Sequence, residues 1–103
     1  GLAEAAEYRL TAEVSLSEEE LGITVEQEIT RFNLLGRANF QLRDFETDTV
    51  VTRGQVSNFT SYSATGTPFA TQTARRDARE RLMGILADQI VARLLATAGD
   101  WRA

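Results

Sequence analysis

The chain of 103 residues contains no cysteine, no histidine and no lysine. Without cysteine there is no disulfide, no thiol nucleophile and no thiolate metal site, and any redox compartment is compatible. Without histidine the Ser-His-Asp and Cys-His arrangements cannot be built, nor can a histidine zinc site. Without lysine, all eleven basic residues are arginine, which removes Schiff-base chemistry and the lysine of a phosphate loop. Long hydrophobic runs are missing too: nothing approaches the roughly 18 apolar residues of a membrane span. The net charge of −4 lacks the basic field that nucleic acid attracts. No nucleic-acid partner and no cofactor are expected. Arginine can still hold phosphate locally, because its planar fork presents several donors.

What is present is an ordinary globular composition, 43% hydrophobic and 25% charged, which sets the chain apart from disordered and fibrous sequences. The length predicts a single domain over residues 1–103. Its first residues, from Gly1, show neither a basic nor an apolar targeting segment. Residues 1–7 are small and acidic and read as a loose arm. From Tyr8 the pattern has a period of two, with Tyr8, Leu10, Ala12, Val14 and Leu16 on one side, as in a half-buried strand. Ser17–Gly22 reads as a break, and Ile23–Glu28 alternates weakly.

Ile29–Asp44 is the clearest strand. Phe32, Leu34, Gly36, Ala38, Phe40 and Leu42 share one face, and only Leu35 interrupts the polar other face. Gly36 marks a bulge or a close approach. Glu46–Thr49 is a polar turn, and Val50–Phe59 returns as a third, antiparallel strand, so that strands span 8–59. Thr60–Gly66, rich in serine and threonine, reads as a loop. Thr67 and Pro68 form an N-cap and first-turn pair for a helix over 67–97, with an apolar stripe from Ala74 to Leu95 at spacings of three and four and Gly99 as its closing residue. The fold class is therefore α+β: an antiparallel sheet of three or more strands packed against a long C-terminal helix. Three strands and one helix leave an edge and part of the helix uncovered, to be completed by another copy, a partner or a missing N-terminal segment.

The candidates for chemistry are few. Asp44, Glu46 and Asp48 could hold a divalent cation or serve acid–base catalysis, against the plainer reading of a solvated acidic turn. Asn58-Phe59-Thr60 is formally a glycosylation triplet at a strand end. Arg75, Arg76, Arg79 and Arg81 are interleaved with Asp77 and Glu80, as on a salt-bridged helix face with the i,i+4 pairs Arg76–Glu80 and Asp77–Arg81. Arg31, Arg37 and Arg43 share the polar face of the second strand, and Arg53 is expected opposite one of them. That face could receive a phosphate ester, or be an ordinary solvent face.

The order of several segments carries a resemblance. Ile29-Thr30-Arg31-Phe32-Asn33-Leu34, then Val56-Ser57-Asn58-Phe59-Thr60-Ser61-Tyr62, then Pro68-Phe69-Ala70-Thr71 and the helix Ala74–Ala96 together resemble the lipopolysaccharide-assembly lipoprotein family (LptE) in its alphaproteobacterial form. The likeness covers about Tyr8 to Ala96. It implies a non-catalytic lipoprotein on the periplasmic face of the outer membrane. Such a subunit plugs a β-barrel LPS-assembly partner of the LptD type and helps deliver lipopolysaccharide. Members begin with a lipidated cysteine and a further strand and helix, so the resemblance implies an N-terminally truncated chain, for which a dimer is conceivable. Carried over to this sequence, the lipopolysaccharide contacts fall on Arg37 and Arg53. The competing readings are an auxiliary lipoprotein of another envelope lipid transporter, a small-ligand binding module and a metal-dependent carboxylate enzyme.

Overall fold

A computed structural model describes residues 7–24, 29–64 and 67–102. The expected arm lies outside these residues up to position 6. So does the weakly alternating stretch from position 25, and so does the end of the Ser/Thr-rich segment at 65–66. Three strands follow one another, β1 (Tyr8–Thr24), β2 (Ile29–Asp44) and β3 (Val50–Ala64). They form one antiparallel sheet in the order β1-β2-β3. The long helix α1 (Pro68–Ala96) crosses one face, and a short helix α2 (Ala98–Trp101) ends the description.

Two strands run further than their composition suggests. β1 continues through the acidic segment read as a break: Glu18, Glu19 and Glu20 pair with Leu34, Asn33 and Phe32, and a one-residue shift before Gly22 absorbs Leu21 as a bulge. The long β2 offers backbone partners all the way, and an extended segment beside such a template satisfies its amides by pairing. β3 likewise includes Thr60–Ala64, read as a loop, because Thr60 and Tyr62 turn inward while Ser61 faces out. This is the same period of two written in hydroxyl residues.

The helix begins as its sequence dictates. The Thr67 hydroxyl accepts from the Ala70 amide at 3.2 Å, and Pro68 follows in the first turn. It ends at Thr97 rather than at Gly99, which lies inside α2. Its buried residues Ala78, Leu82, Leu86 and Ile90 recur every four positions. They meet Leu34, Ala38 and Phe40 of β2 and Val56 and Tyr62 of β3 in a single apolar layer. Complete burial of a leucine contributes about 1.5–3 kcal/mol, and Leu82 and Leu86 both reach it.

Gly36 is the close approach anticipated from the sequence, with no bulge at that point. A Cβ there would stand 2.9 Å from Leu86 Cδ1 and 3.0 Å from Leu82 Cδ2. The glycine gives the two leucines their seat. The helix is pinned laterally by Thr60, whose buried hydroxyl donates to the Ala78 carbonyl at 3.0 Å. Arg75 adds a second anchor: its Nε donates to Tyr62 Oη at 3.0 Å, and Tyr62 stacks on Phe32 with ring centroids 5.3 Å apart.

These anchors set α1 over β2 and β3. β1 is met at two points, by Arg75 of α1, which stands 3.6 Å from Glu18, and by Trp101 of α2, which meets Tyr8 edge-on at 5.1 Å. Between these points Leu10, Val14 and Leu16 remain substantially exposed. The molecule is a thin plate, 59 × 28 × 17 Å, with a radius of gyration of 18.4 Å, against about 13 Å for a sphere-like domain of 100 residues.

Candidate lipid-facing sheet surface

The helix leaves one entire face of the sheet open, the polar face of β2. A small irregularity determines which β3 residues join it. The register shifts by one between Leu42 and Arg43, which pair with Thr52 and Val50 and leave Val51 unmatched. That shift puts odd-numbered β3 residues beside odd-numbered β2 residues, because side chains alternate faces strictly along a strand. Arg53 thereby joins the face of Arg37. Its partner is Gln41, not one of the three β2 arginines.

Arg37 sits between Ser15 and Ser57, and Arg53 stands four residues further along the ladder, beside Gln41. Their register positions are separated by about 13 Å at roughly 3.3 Å per residue. Both are exposed, and neither forms an ion pair among the described residues. Two shallow depressions lie side by side here. One, of about 700 Å³, holds Arg53 with Thr11, Glu13, Asn39 and Gln55; the other, of about 720 Å³, holds Arg37 with Ser15, Ser57 and Phe59. Cross-strand bonds tie this face together: Gln55 Nε2 donates to Asn39 Oδ1 at 2.8 Å within the first depression, and Ser61 Oγ to Asn33 Oδ1 at 2.7 Å beyond the second. Such a surface offers hydroxyls and amides with guanidinium groups outside any ion pair among the described residues, a combination suited to phosphate esters.

The remaining arginines are engaged differently. Arg9 was not singled out by the sequence, because its neighbour is set by register; it stands directly opposite Arg43. Like charges so placed repel, and each turns to its own partner. Arg9 lies over the Phe45 ring at 5.3 Å, while Arg43 Nη1 donates to the Asp48 carbonyl at 3.1 Å and stands 3.8 Å from its carboxylate. On the helix, Asp77–Arg81 forms as expected at 3.1 Å. Arg75 has left the solvent face for Tyr62 and Glu18.

The acidic turn is occupied with its own backbone. Asp44 Oδ1 accepts from the amides of Glu46 at 2.9 Å and Thr47 at 3.1 Å. The Thr47 and Glu46 backbone bonds hold its carboxyl below the usual carboxylate value. Asp48 adopts a positive φ of 54° and faces Arg43. No group of three metal-ligating side chains forms among the described residues. The glycosylation triplet is equally engaged: Asn58 Oδ1 accepts from the Phe59 amide at 2.8 Å, and Thr60 is buried beneath the helix.

The family described as "LptE: Lipopolysaccharide-assembly" matches residues 2–94. A crystal structure of a "putative lipoprotein" from Caulobacter crescentus superimposes with a TM-score of 0.75 at 24% sequence identity, covering 95% of this chain and 72% of that one; it shares the fold. No curated protein matches the chain.

Proposed function

The chain belongs to the LptE lipopolysaccharide-assembly family, and we propose that it is a non-catalytic outer-membrane lipoprotein subunit that seats inside an LPS-assembly β-barrel of the LptD type. There it presents its helix-free sheet face to lipopolysaccharide on the periplasmic side. The observation that supports this reading most is the division of labour between the two faces. One is filled by α1; the other carries Arg37 and Arg53 in open depressions, neither of them in an ion pair among the described residues, with Glu13 lining the depression of Arg53. Lipopolysaccharide carries phosphates that such guanidinium groups bind by charge-assisted hydrogen bonds. Within the described residues no helix is long and apolar enough to cross a membrane.

The test is purification of the full-length lipidated protein from its native envelope in mild detergent. Recovery of a large outer-membrane β-barrel in stoichiometric amount supports the proposal. Recovery of an inner-membrane transporter, or of the lipoprotein alone, overturns the barrel assignment. Arg37→Glu and Arg53→Glu, introduced together, are expected to abolish retention on immobilised lipopolysaccharide while leaving the barrel complex intact.

A further inference from the structure

Between the rows of Asn33 and Gln41, the helix-free face is polar in every register row but one. Reading across β2 and β3, the pairs are Asn33–Ser61, Leu35–Phe59, Arg37–Ser57, Asn39–Gln55 and Gln41–Arg53. Leu35 and Phe59 are thus a solitary apolar pair, 36% and 56% exposed. Scattered exposed apolar residues are normal on a protein surface. This pair differs in being adjacent across two strands and in directly neighbouring an arginine without an ion-pair partner among the described residues. The row of Arg37 lies about 7 Å along the strands from the row of Phe59. Both rows end on small side chains: Ser17 beside Leu35, and Ser15 and Ser57 beside Arg37. The short serines leave the guanidinium, the leucine and the ring standing around a low floor, and that floor is the second depression.

We infer that Leu35 and Phe59 form the acyl-contacting end of the lipid surface, with Arg37 holding a phosphate of the same molecule and Arg53 continuing the head-group side. This rests on the lipopolysaccharide reading of that face and gives it a direction: tail toward Phe59, head group toward Arg53. An amphiphile laid this way covers the exposed ring and leucine with hydrocarbon, where water now meets them. Its phosphate meanwhile stays within reach of a hydrogen-bonding fork.

The experiment titrates the chain with dodecyl phosphate below its micellisation concentration, with inorganic phosphate and with purified lipopolysaccharide, by calorimetry. Phe59→Ser is expected to weaken dodecyl phosphate and lipopolysaccharide by about tenfold or more, the size set by losing one buried aromatic contact, while inorganic phosphate is unchanged. Arg37→Glu is expected to weaken all three ligands. Leu35→Ser serves as a second variant should Phe59→Ser fail to fold, as judged by circular dichroism. Undiminished dodecyl phosphate binding by Phe59→Ser, with loss on Arg37→Glu, overturns the acyl assignment and leaves the arginine reading standing. If neither substitution changes lipopolysaccharide binding, both readings of this face fall together.

Discussion

Val14 and Val56 flank the same residue. Both pair with Ala38, one from β1 and one from β3, in a single row across the sheet. Ala38 is completely buried, Val56 is 6% exposed and Val14 is 40% exposed. The two valines share residue type, strand context and face. They differ only in what lies above them, which is α1 for Val56 and nothing among the described residues for Val14. Alternation in a strand therefore reports which side is apolar and leaves open whether that side is covered. Coverage is decided elsewhere, by the Gly36 seat on β2 and by the Thr60 hydroxyl and the Arg75–Tyr62 bond on β3, which set the helix over those two strands.

This contrast can be broken most severely at the layer that creates it. Leu82→Ala removes a fully buried side chain at the centre of the helix seat, and a loss of about 2–5 kcal/mol is expected from urea denaturation. Filling the seat is the next largest insult. Gly36→Val drives a branched side chain into Leu82 and Leu86, with an expected loss of about 1–3 kcal/mol and a fall in thermal midpoint.

The two valines then sharpen the comparison directly. Val56→Thr buries a hydroxyl beside Ala38 and is expected to cost about 1–3 kcal/mol. Val14→Thr, at the mirror position, should stay within about 0.5 kcal/mol. Equal losses at the two sites would mean that β1 is covered in solution by something that shields it as α1 shields β3.

The smallest effect lies in the turn, far from both valines. The folded-state pKa of Asp44 is depressed by the Thr47 and Glu46 amide bonds, so its contribution is present above the unfolded carboxylate value of about 3.9 and is lost as pH falls through the folded value. The stability advantage of the native chain over Asp44→Asn should therefore be complete at neutral pH and fade below about pH 4 in parallel urea titrations.

Much of this architecture was legible in the residues. The apolar face of β2 and the Thr67-Pro68 helix start follow from a local period and a local cap, and the structure carries both; of the apolar stripe read from Ala74 to Leu95, the structure buries Ala78, Leu82, Leu86 and Ile90 and leaves Val91 and Leu95 exposed. The end of β3 was not legible, because Thr60–Ala64 has loop composition and becomes strand only through β2 and the helix carbonyl that Thr60 reaches. The acidic part of β1 was hidden for the same reason, since its partner ladder is remote in sequence. At the sheet surface, Arg37 could be placed on its face from β2 alone. The true neighbours of Arg53, Arg9 and Phe59 depend on register, and the register depends on the unmatched Val51. The segments that carry the family resemblance now have a physical meaning: Phe32, Thr60, Tyr62 and Arg75 are the residues that dock the helix.

The edge-on contact between Trp101 and Tyr8 gives the molecule an optical signature of its own. Trp101 is the sole tryptophan, and it leans on the first residue of the strand that the long helix does not cover. Its emission thus reports the closure of the C-terminal segment onto β1, separately from the far-UV circular dichroism that follows the helix. In a denaturant titration the fluorescence change should precede the loss of helicity, since a four-residue helix with no buried side chain is a weak latch. Any ligand or protein that settles over β1 would shift that emission first, so the chain carries an intrinsic dye at the margin of its least protected strand.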